Sequence, residues 1–161
     1  MANNDRRVRD ALRVKPDELD LAKIDPAGKP VGPKSKKNAS SKLAAIGAEL
    51  DELQEALYAE GLGGGRRRVL LVLQGMDTSG KGGTIRHAAG LVNPQGLHIA
   101  SFKKPTEEER RHHFLWRIRK HVPRPGFIGV FDRSHYEDVL VVRVEGLVPE
   151  AEWRKRYDEI N

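Results

Sequence analysis

The fold of this chain is decided by one stretch, Val69-Leu70-Leu71-Val72-Leu73-Gln74-Gly75-Met76-Asp77-Thr78-Ser79-Gly80-Lys81-Gly82-Gly83-Thr84. Its first five residues are aliphatic, which predicts a strand of a parallel sheet that is buried on both faces. A glycine-rich turn follows, in which residues 75–81 match the phosphate-loop pattern G-x-x-x-x-G-K. An amphipathic stretch at residues 84–92 comes next. The strand, loop and helix that the motif requires therefore occur in the right order.

The residue types of this loop predict a phosphate site. Glycines let backbone N–H groups turn toward phosphate oxygens, and the N-terminus of the following helix carries partial positive charge. The lysine reaches the outer phosphates. The predicted phosphate-binding residues are Gly75, Thr78, Ser79, Gly80, Lys81, Gly82, Gly83 and Thr84.

The loop lacks the hydroxyl that usually binds magnesium, because Gly82 stands where related loops carry Ser or Thr after the lysine. Asp77 lies inside the loop and is the expected replacement. A carboxylate so close to phosphate would be costly without a cation between them. The alternative is that Asp77 forms an Asx turn.

A second acidic residue follows another apolar run. Residues 127–131 predict a strand, and Asp132 at its end is the second expected metal ligand. The alternative is that Asp132 caps the next helix. Arg133 can clamp a phosphoryl group, because a guanidinium binds two oxygens at once. Its alternative is a salt bridge to Glu137 or Asp138.

Composition limits the class of protein. The 161 residues are 38% hydrophobic, enough for one lean core, and the formal charge of +6 favours a polyanionic partner: nucleic acid, an anionic membrane or a phosphate polymer. The absence of cysteine excludes a disulfide framework and a thiolate metal site. The six histidines form no ligand set, so we predict no zinc. The first residues lack an apolar signal segment, and we expect a cytoplasmic protein.

The N-terminal part predicts an arm at residues 3–25 and a Pro/Gly/Lys-rich linker at 26–40. An amphipathic helix should follow, capped by Ser40 or Ser41 and ending before a flexible joint at 61–65. Its apolar stripe should pack on the domain or on a second subunit. The stripe consists of Leu43, Ile46, Leu50, Leu53 and Leu57. We predict an N-terminal segment at 1–65, made of the arm, the linker and this helix, and a P-loop core at 66–161.

The chain after the loop predicts further α/β structure. A turn at 93–96 leads to a strand at 97–102, which implies a right-handed parallel crossover. A helix should begin at Thr106 and continue to residue 122, with Phe114, Leu115, Ile118 and Val122 buried and its arginines in solvent. Residues 139–144 fit a strand or a helix, and we favour the helix. The last predicted helix begins after Pro149, and the chain stops inside it, so we expect the sheet to lack flanking strands.

Four segments together resemble one family. They are Gly75-Met76-Asp77-Thr78-Ser79-Gly80-Lys81-Gly82-Gly83-Thr84-Ile85, Asn93-Pro94-Gln95-Gly96, Phe102-Lys103-Lys104-Pro105-Thr106-Glu107-Glu108-Glu109 and Phe131-Asp132-Arg133-Ser134-His135-Tyr136-Glu137-Asp138-Val139-Leu140. This sequence closely resembles the polyphosphate kinase 2 family over residues 5–161. The resemblance implies a three-layer, thymidylate-kinase-like P-loop fold with a parallel sheet.

The resemblance also implies an activity: Mg2+-dependent transfer of phosphate between inorganic polyphosphate and nucleoside mono- or diphosphates such as AMP, ADP or GDP. It makes Asp77 and Asp132 the metal-organising acids, Lys81 the phosphate lysine and Arg133 the phosphate clamp. Many relatives carry Asn where this chain has Asp132, and family members usually continue into later strands and a basic lid. We expect a homo-oligomer, and no nucleic acid or membrane partner.

A polyphosphate chain requires cations along its path. The residues predicted as polyphosphate or nucleotide contacts are Lys103, Lys104, Arg117, Lys120, Arg124 and Glu137. Two alternatives stay open: an ATP-dependent nucleotide kinase of the same fold, and a polyanion-binding domain without catalysis. The pair of carboxylates favours an enzyme, because a binding domain has no use for them.

Overall fold

The computed structural model describes residues 8–28, 30–33 and 35–161. Residues 3–7 of the predicted arm, and Lys29 and Lys34 in the predicted linker, lie outside the described residues. The chain divides into two compact units, Met1–Ile46 and Gly47–Asn161. The predicted segment boundary between residues 65 and 66 stays a prediction.

The first unit contains short helical pieces. Residues 8–12 are helical (α1), and two 3-10 turns follow at Pro16–Glu18 and Leu21–Lys23. Asp20 caps the second turn, since its carboxylate accepts the Ala22 N–H at 3.1 Å. The described residues before the next helix are almost all exposed.

The long helix α2, Lys36–Leu62, begins earlier and ends later than predicted. Ser35 is at its start and accepts the Asn38 N–H at 3.3 Å. The predicted caps Ser40 and Ser41 are wrong, because their hydroxyls donate to carbonyls one turn back inside the helix. The linker prediction to residue 40 is therefore also wrong. Gly61 does not stop the helix, which continues for one more residue.

The buried side of α2 contains only part of the predicted leucine stripe, since Leu50 and Leu57 are half-buried. Gly47 and Gln54 are buried, whereas Leu43, Ile46 and Leu53 are exposed. In the second unit, a Cβ on Gly61 would overlap the backbone of Gly126. Packing of the stripe on the domain is wrong at the exposed Leu53, because α2 makes its close contacts here through residues that give no hydrophobic signal, and packing on a second subunit stays a prediction.

The sheet has three parallel strands in the order β1-β3-β2. The strands are β1 (Val69–Leu73), β2 (Leu97–Ser101) and β3 (Ile128–Asp132). The central strand β3 is the most buried. Leu73 and Ser101 both lie opposite Asp132 in the register, so all three strands end at the same level. This confirms the parallel crossover and the α/β fold class.

Helices cover both faces of the sheet, which gives three layers. Helix α3, Lys81–Ala88, lies on one face, where Val130 and Leu71 share an apolar cavity with Ala88. On the other face, Phe131 packs with Phe102 and Ile118. Because side chains alternate along β3, this strand contributes to the packing on both faces of the sheet.

Strand β1 is less buried than its sequence predicts. Val69, Leu70 and Leu71 are 39–49% exposed. Among the described residues no strand pairs with the outer side of β1. The prediction of burial on both faces is wrong at these three residues, because an edge strand keeps part of its side chains open.

The predicted helix at 106–122 is two helices, α4 (Glu107–Arg110) and α5 (Leu115–Arg119). The predicted capping box is present, with Thr106 and Glu109 bonded to each other's backbone N–H. The chain turns between the helices, where the His113 ring accepts the Leu115 N–H at 3.3 Å. Val122 is 44% exposed, so its predicted burial is wrong.

The last two helices are α6 (Glu137–Val144) and α7 (Glu150–Ile160). Both confirm the prediction, including the choice of helix over strand for the β-branched run. Trp153 is the buried residue of α7. None of the helices in the described part of the chain combines the length and the hydropathy that a membrane span requires.

Candidate active site

An open cleft of about 600 Å3 lies at the carboxyl ends of the three strands. Its size is typical of small-molecule sites. Because the strands end at one level, the segments that follow them meet there. The lining residues are Asp77, Thr78, Ser79, Gly80, Lys81, Gly82, Ser101, Phe102, Lys103, Asp132 and Arg133.

One wall of the cleft is the glycine-rich loop. Thr78 and Gly80 have φ of 67° and 93°, in the left-handed region that lets successive N–H groups face one side. A Cβ on Gly75 would come within 2.8 Å of the Ser79 hydroxyl, so a side chain there would require the Ser79 side chain to turn away. The loop therefore has the compact shape that a phosphate-binding loop requires.

Lys81 lies across this loop. Its ammonium donates to the backbone carbonyls of Gly75 and Met76, at 2.8 Å each. The loop is thereby folded around the lysine, which begins α3. Thr84 is used inside α3, where both its N–H and its hydroxyl donate to the Gly80 carbonyl. Of the predicted phosphate residues, Gly75, Gly83 and Thr84 do not line the cleft.

Asp132 ends β3 at the centre of the cleft floor. One carboxylate oxygen lies 3.4 Å from the Ser101 hydroxyl. The other oxygen, Oδ1, is buried and has no hydrogen-bond partner among the described residues. A buried, unpaired carboxylate oxygen is costly, so this atom fits a metal ligand.

Asp77 lines the same cleft and is largely exposed, at 81% of its side chain. The described part of the chain holds no group of three or more acidic or histidine side chains around one metal position. Two carboxylates can still hold Mg2+, because this ion commonly takes one or two carboxylates and completes its shell with water and substrate phosphate. The donor set therefore fits Mg2+.

Arg133 lies in the turn after β3, with φ of 64°. Its backbone N–H donates to the Leu73 carbonyl at 3.0 Å, which fixes the turn. Its guanidinium pairs with the Asp77 carboxylate and lies 3.9 Å from Glu137. The Asp77 carboxylate raises the pKa of Arg133 above its ordinary value, so the arginine stays charged. The predicted metal ligand and the predicted phosphate clamp therefore neutralise each other across the cleft.

A hydrogen-bond network behind the loop was not predicted. The Ser134 side chain is fully buried, and its hydroxyl donates to the Gln74 side chain at 3.0 Å. Gln74 in turn donates to Glu137 at 2.6 Å. These contacts tie the start of the loop to the N-terminus of α6. The signal in the sequence is that both Gln74 and Ser134 are polar residues soon after an apolar strand.

The cations predicted to contact polyphosphate separate into those that line the cleft and those that do not. Lys103 lines the cleft, whereas Lys104 is exposed outside it. Arg117 is 5% exposed and pairs with Asp138, so its predicted place on a solvated helix face is wrong. Burial is possible because the guanidinium has an acidic partner and a carbonyl partner.

Lys120 and Arg124 lie against aromatic rings. The Lys120 ammonium is 3.2 Å from the centre of the Trp116 ring. The Arg124 guanidinium is 4.2 Å from the centre of the Phe127 ring. Neither cation lines the cleft, so the structure does not bring them to Lys81 and Asp132.

The first strand of the parallel sheet enters a lysine-bearing loop, and the neighbouring strand ends in an acid at the same edge. This arrangement is typical of the phosphate sites of P-loop proteins. The family model described as "Polyphosphate kinase 2" matches residues 33–161 of this chain. The chain therefore belongs to the polyphosphate kinase 2 family. This confirms the resemblance found in the sequence.

Known relatives agree with this assignment. An "AMP/ADP-polyphosphate phosphotransferase" of Meiothermus ruber is 48% identical over 92% of this chain and 54% of that protein. A "GDP-polyphosphate phosphotransferase" of Mycolicibacterium smegmatis is 39% identical over 61% of this chain and 33% of that protein. The crystal structure of polyphosphate kinase 2 from Arthrobacter aurescens TC1 has a TM-score of 0.89 and 51% identity, over 93% of this chain and 53% of that one. This chain spans about half the length of the first of these relatives and of this structure, and about a third of the second relative.

Proposed function

We propose that this chain carries the phosphate-transfer site of an enzyme that moves phosphate between inorganic polyphosphate and nucleoside mono- or diphosphates. One observation carries the proposal: Lys81, Asp132 and Arg133 converge on one cleft beside a phosphate loop. The names of the relatives support polyphosphate as donor and AMP, ADP or GDP as acceptor.

The reaction moves one phosphoryl group. An oxygen of the acceptor's outer phosphate forms a bond to the terminal phosphorus of polyphosphate, while the bond from that phosphorus to the bridging oxygen breaks. The bridging oxygen keeps the electron pair and leaves on the shortened chain. Little covalent chemistry is required of the protein, so its work is positioning and charge stabilisation.

Lys81 and Arg133 supply the positive charge. The Lys81 ammonium is held by two loop carbonyls at 2.8 Å and can turn from them to phosphate oxygens that enter the loop. The Arg133 guanidinium is one third exposed and can bind two oxygens of the transferred group. Preorganised cations at this position stabilise charge as it shifts from donor to acceptor.

Asp77 and Asp132 are the residues that would hold Mg2+. The unpaired Oδ1 of Asp132 supports this role. Bound Mg2+ would neutralise phosphate charge and orient the two substrates. Arg133 can turn from Asp77 to phosphate oxygens when substrate binds, which would leave the Asp77 carboxylate free to hold the ion.

The proposal includes a cytoplasmic location, because nucleotide acceptors are found there, and a homo-oligomer. The exposed apolar residue Leu53 of α2, which lies in the second unit, supports a contact between subunits. Sedimentation of the protein and of a Leu53→Lys variant would test the oligomer. A dimer that persists unchanged in the variant would exclude this residue from the contact.

The function is tested by a transfer assay with two donors. Polyphosphate and ATP are compared at equal phosphate concentration, with ADP and AMP as acceptors, in Mg2+ and in EDTA. We expect turnover with polyphosphate that requires Mg2+ and falls at least about 10²-fold in Asp132→Ala. The control is Asp158→Ala, which removes an exposed acid of α7 and should change nothing.

The same assay separates the alternatives. ATP as the better donor, with polyphosphate inert, would replace this proposal by an ATP-dependent nucleotide kinase. Binding of polyphosphate without transfer from either donor would indicate a polyanion-binding domain.

A further inference from the structure

Arg117 is a buried arginine with partners on two different elements. Its guanidinium donates to the Lys103 carbonyl at 2.7 Å and to the Asp138 carboxylate at 3.1 Å. Glu109 lies 3.8 Å away, and the Phe102 ring centre lies 5.7 Å from the guanidinium carbon. One side chain thus connects the segment after β2 with the first turn of α6.

Only arginine can make this connection. The two bonds leave different nitrogens of a planar fork, and the ammonium of a lysine cannot reproduce that geometry. A buried ion pair is weak evidence for a gain in stability, because desolvation offsets much of the attraction. The contacts of Arg117 are therefore better explained by the position that they impose on the segment after β2 than by a gain in the free energy of unfolding.

The segment that Arg117 holds is the wall of the cleft opposite the loop. Phe102 and Lys103 both line the cleft, and Arg117 binds the backbone carbonyl of Lys103 itself. Phe102 is fixed on the other side, where its N–H donates to the Asp132 carbonyl at 2.9 Å. The backbone of this wall is thus held between β3 and α5.

We propose that Arg117 is a positioning residue that presents Lys103 to the polyphosphate donor. This rests on the proposed function. Arg117 itself does not line the cleft, so it acts through the cleft wall. The other partner of Arg117 is Asp138, which follows Glu137 in α6, and Glu137 lies 3.9 Å from Arg133. The Arg117 guanidinium therefore also connects the cleft wall to the helix beside the proposed phosphate clamp.

The proposal is tested by a cycle of two substitutions. Arg117→Lys should raise the KM for polyphosphate about tenfold, the effect of removing one charged interaction, with kcat nearly unchanged. Lys103→Ala should raise it by a similar factor. Because Arg117 acts through Lys103, adding Arg117→Lys to Lys103→Ala should cause no further rise. A merely structural arginine would lower activity equally in both backgrounds, and that result would overturn the proposal.

Arg156 provides a matched control. It comes from α7, has 14% of its side chain exposed, donates to the Asp138 carbonyl at 2.7 Å and lies over the Phe114 ring. It therefore holds the same α6 residue without touching the cleft wall. Arg156→Lys should lower the melting temperature and leave the KM for polyphosphate unchanged. An equal rise of KM in this variant would overturn the proposal.

A second readout does not depend on activity. Hydrogen exchange of the Phe102 amide reports whether the wall stays bonded to Asp132. The exchange should be faster in Arg117→Lys and unchanged in Arg156→Lys. If the wild-type protein transfers no phosphate, the proposed function fails, and this measurement still decides whether Arg117 holds the wall.

The double variant Arg117→Gln with Asp138→Asn covers the case in which Arg117→Lys does not fold. It removes both buried charges together, so neither is left without its partner. We expect a folded protein with faster Phe102 exchange and a raised KM for polyphosphate. Normal exchange and normal KM in this variant would overturn the proposal.

Discussion

The two walls of the cleft each present a lysine, but they hold it in opposite ways. On the loop wall, Lys81 is held by carbonyls five and six residues away in the sequence. On the opposite wall, Lys103 is held by Arg117, which depends on Asp138 a further 21 residues along. The loop wall is thus a local structure, and the opposite wall depends on tertiary packing. Damage to the first should affect chemistry, and damage to the second should affect donor binding.

The largest expected effect is on the loop wall. Lys81→Met should lower turnover about 10²–10³-fold, because it removes the cation closest to the phosphate loop. The melting temperature should change little, since the Lys81 ammonium makes two hydrogen bonds that are exposed or half-buried. Steady-state kinetics with Lys104→Met as control measures this. Near-normal turnover would remove Lys81 from the mechanism.

The second effect concerns the acid on the same wall. Asp77→Asn should lower turnover about 10²-fold at limiting Mg2+, and raised Mg2+ should restore part of it. The fold should be unaffected because the side chain is 81% exposed. A titration of activity with Mg2+ in wild type and variant measures the shift. Identical Mg2+ curves would leave Asp77 as a partner of Arg133 alone.

The third effect sharpens the comparison on the opposite wall. Lys103→Ala should raise the KM for polyphosphate about tenfold and make it less sensitive to salt, since one cation fewer contacts the chain. Lys104→Ala should do much less, because Lys104 does not line the cleft. The dependence of KM on salt concentration measures both. An equal change of KM in the two variants would mean that polyphosphate binds to the surface charge in general and not to a lysine held in the cleft wall.

The smallest effect concerns stability against pH. Burial lowers the pKa of His135 below its ordinary value, and its Nδ1 is buried without a partner among the described residues. As pH falls below about 6.5, the His135 ring takes up a proton in the unfolded chain before it does so in the folded chain. The contribution of neutral His135 to stability is therefore complete above that pH and is lost as pH falls toward the lowered pKa of the folded state. His135→Gln should flatten this part of the melting-temperature profile between neutral and mildly acidic pH.

The control for this measurement is His87→Gln, which changes an exposed histidine of α3. It should leave the profile as it is in the wild-type protein. A flattened profile in the control, or an unchanged one in His135→Gln, would contradict the prediction.

Local signals explain which parts of the site could be predicted. The apolar run predicts strand β1, and the glycines and the lysine that follow it predict the loop and the start of α3. All of these signals lie within one short stretch of sequence. Asp132 could be predicted because an acid directly follows an apolar strand. The capping box at Thr106 could also be predicted from a local signal, because its two partners are only three residues apart.

Signals that depend on distant partners explain the failures. Arg117 has the sequence appearance of a surface arginine, and only the presence of Asp138 and the Lys103 carbonyl permits its burial. The buried face of α2 uses Gly47 and Gln54, residues without a hydrophobic signal. Ser134 is fully buried because Gln74, sixty residues earlier, bonds its hydroxyl.

The sequence by itself determined the fold class, the phosphate loop with Lys81 and the acid at the end of β3. It could do so because glycine conformation, strand periodicity and helix capping act over a few residues. Only the tertiary structure decided that Asp77 pairs with Arg133, that Arg117 is buried and that Lys103 lines the cleft. The reason is that burial and ion pairing depend on which distant groups the sheet brings together, and the carboxyl ends of three strands meet only in the folded chain.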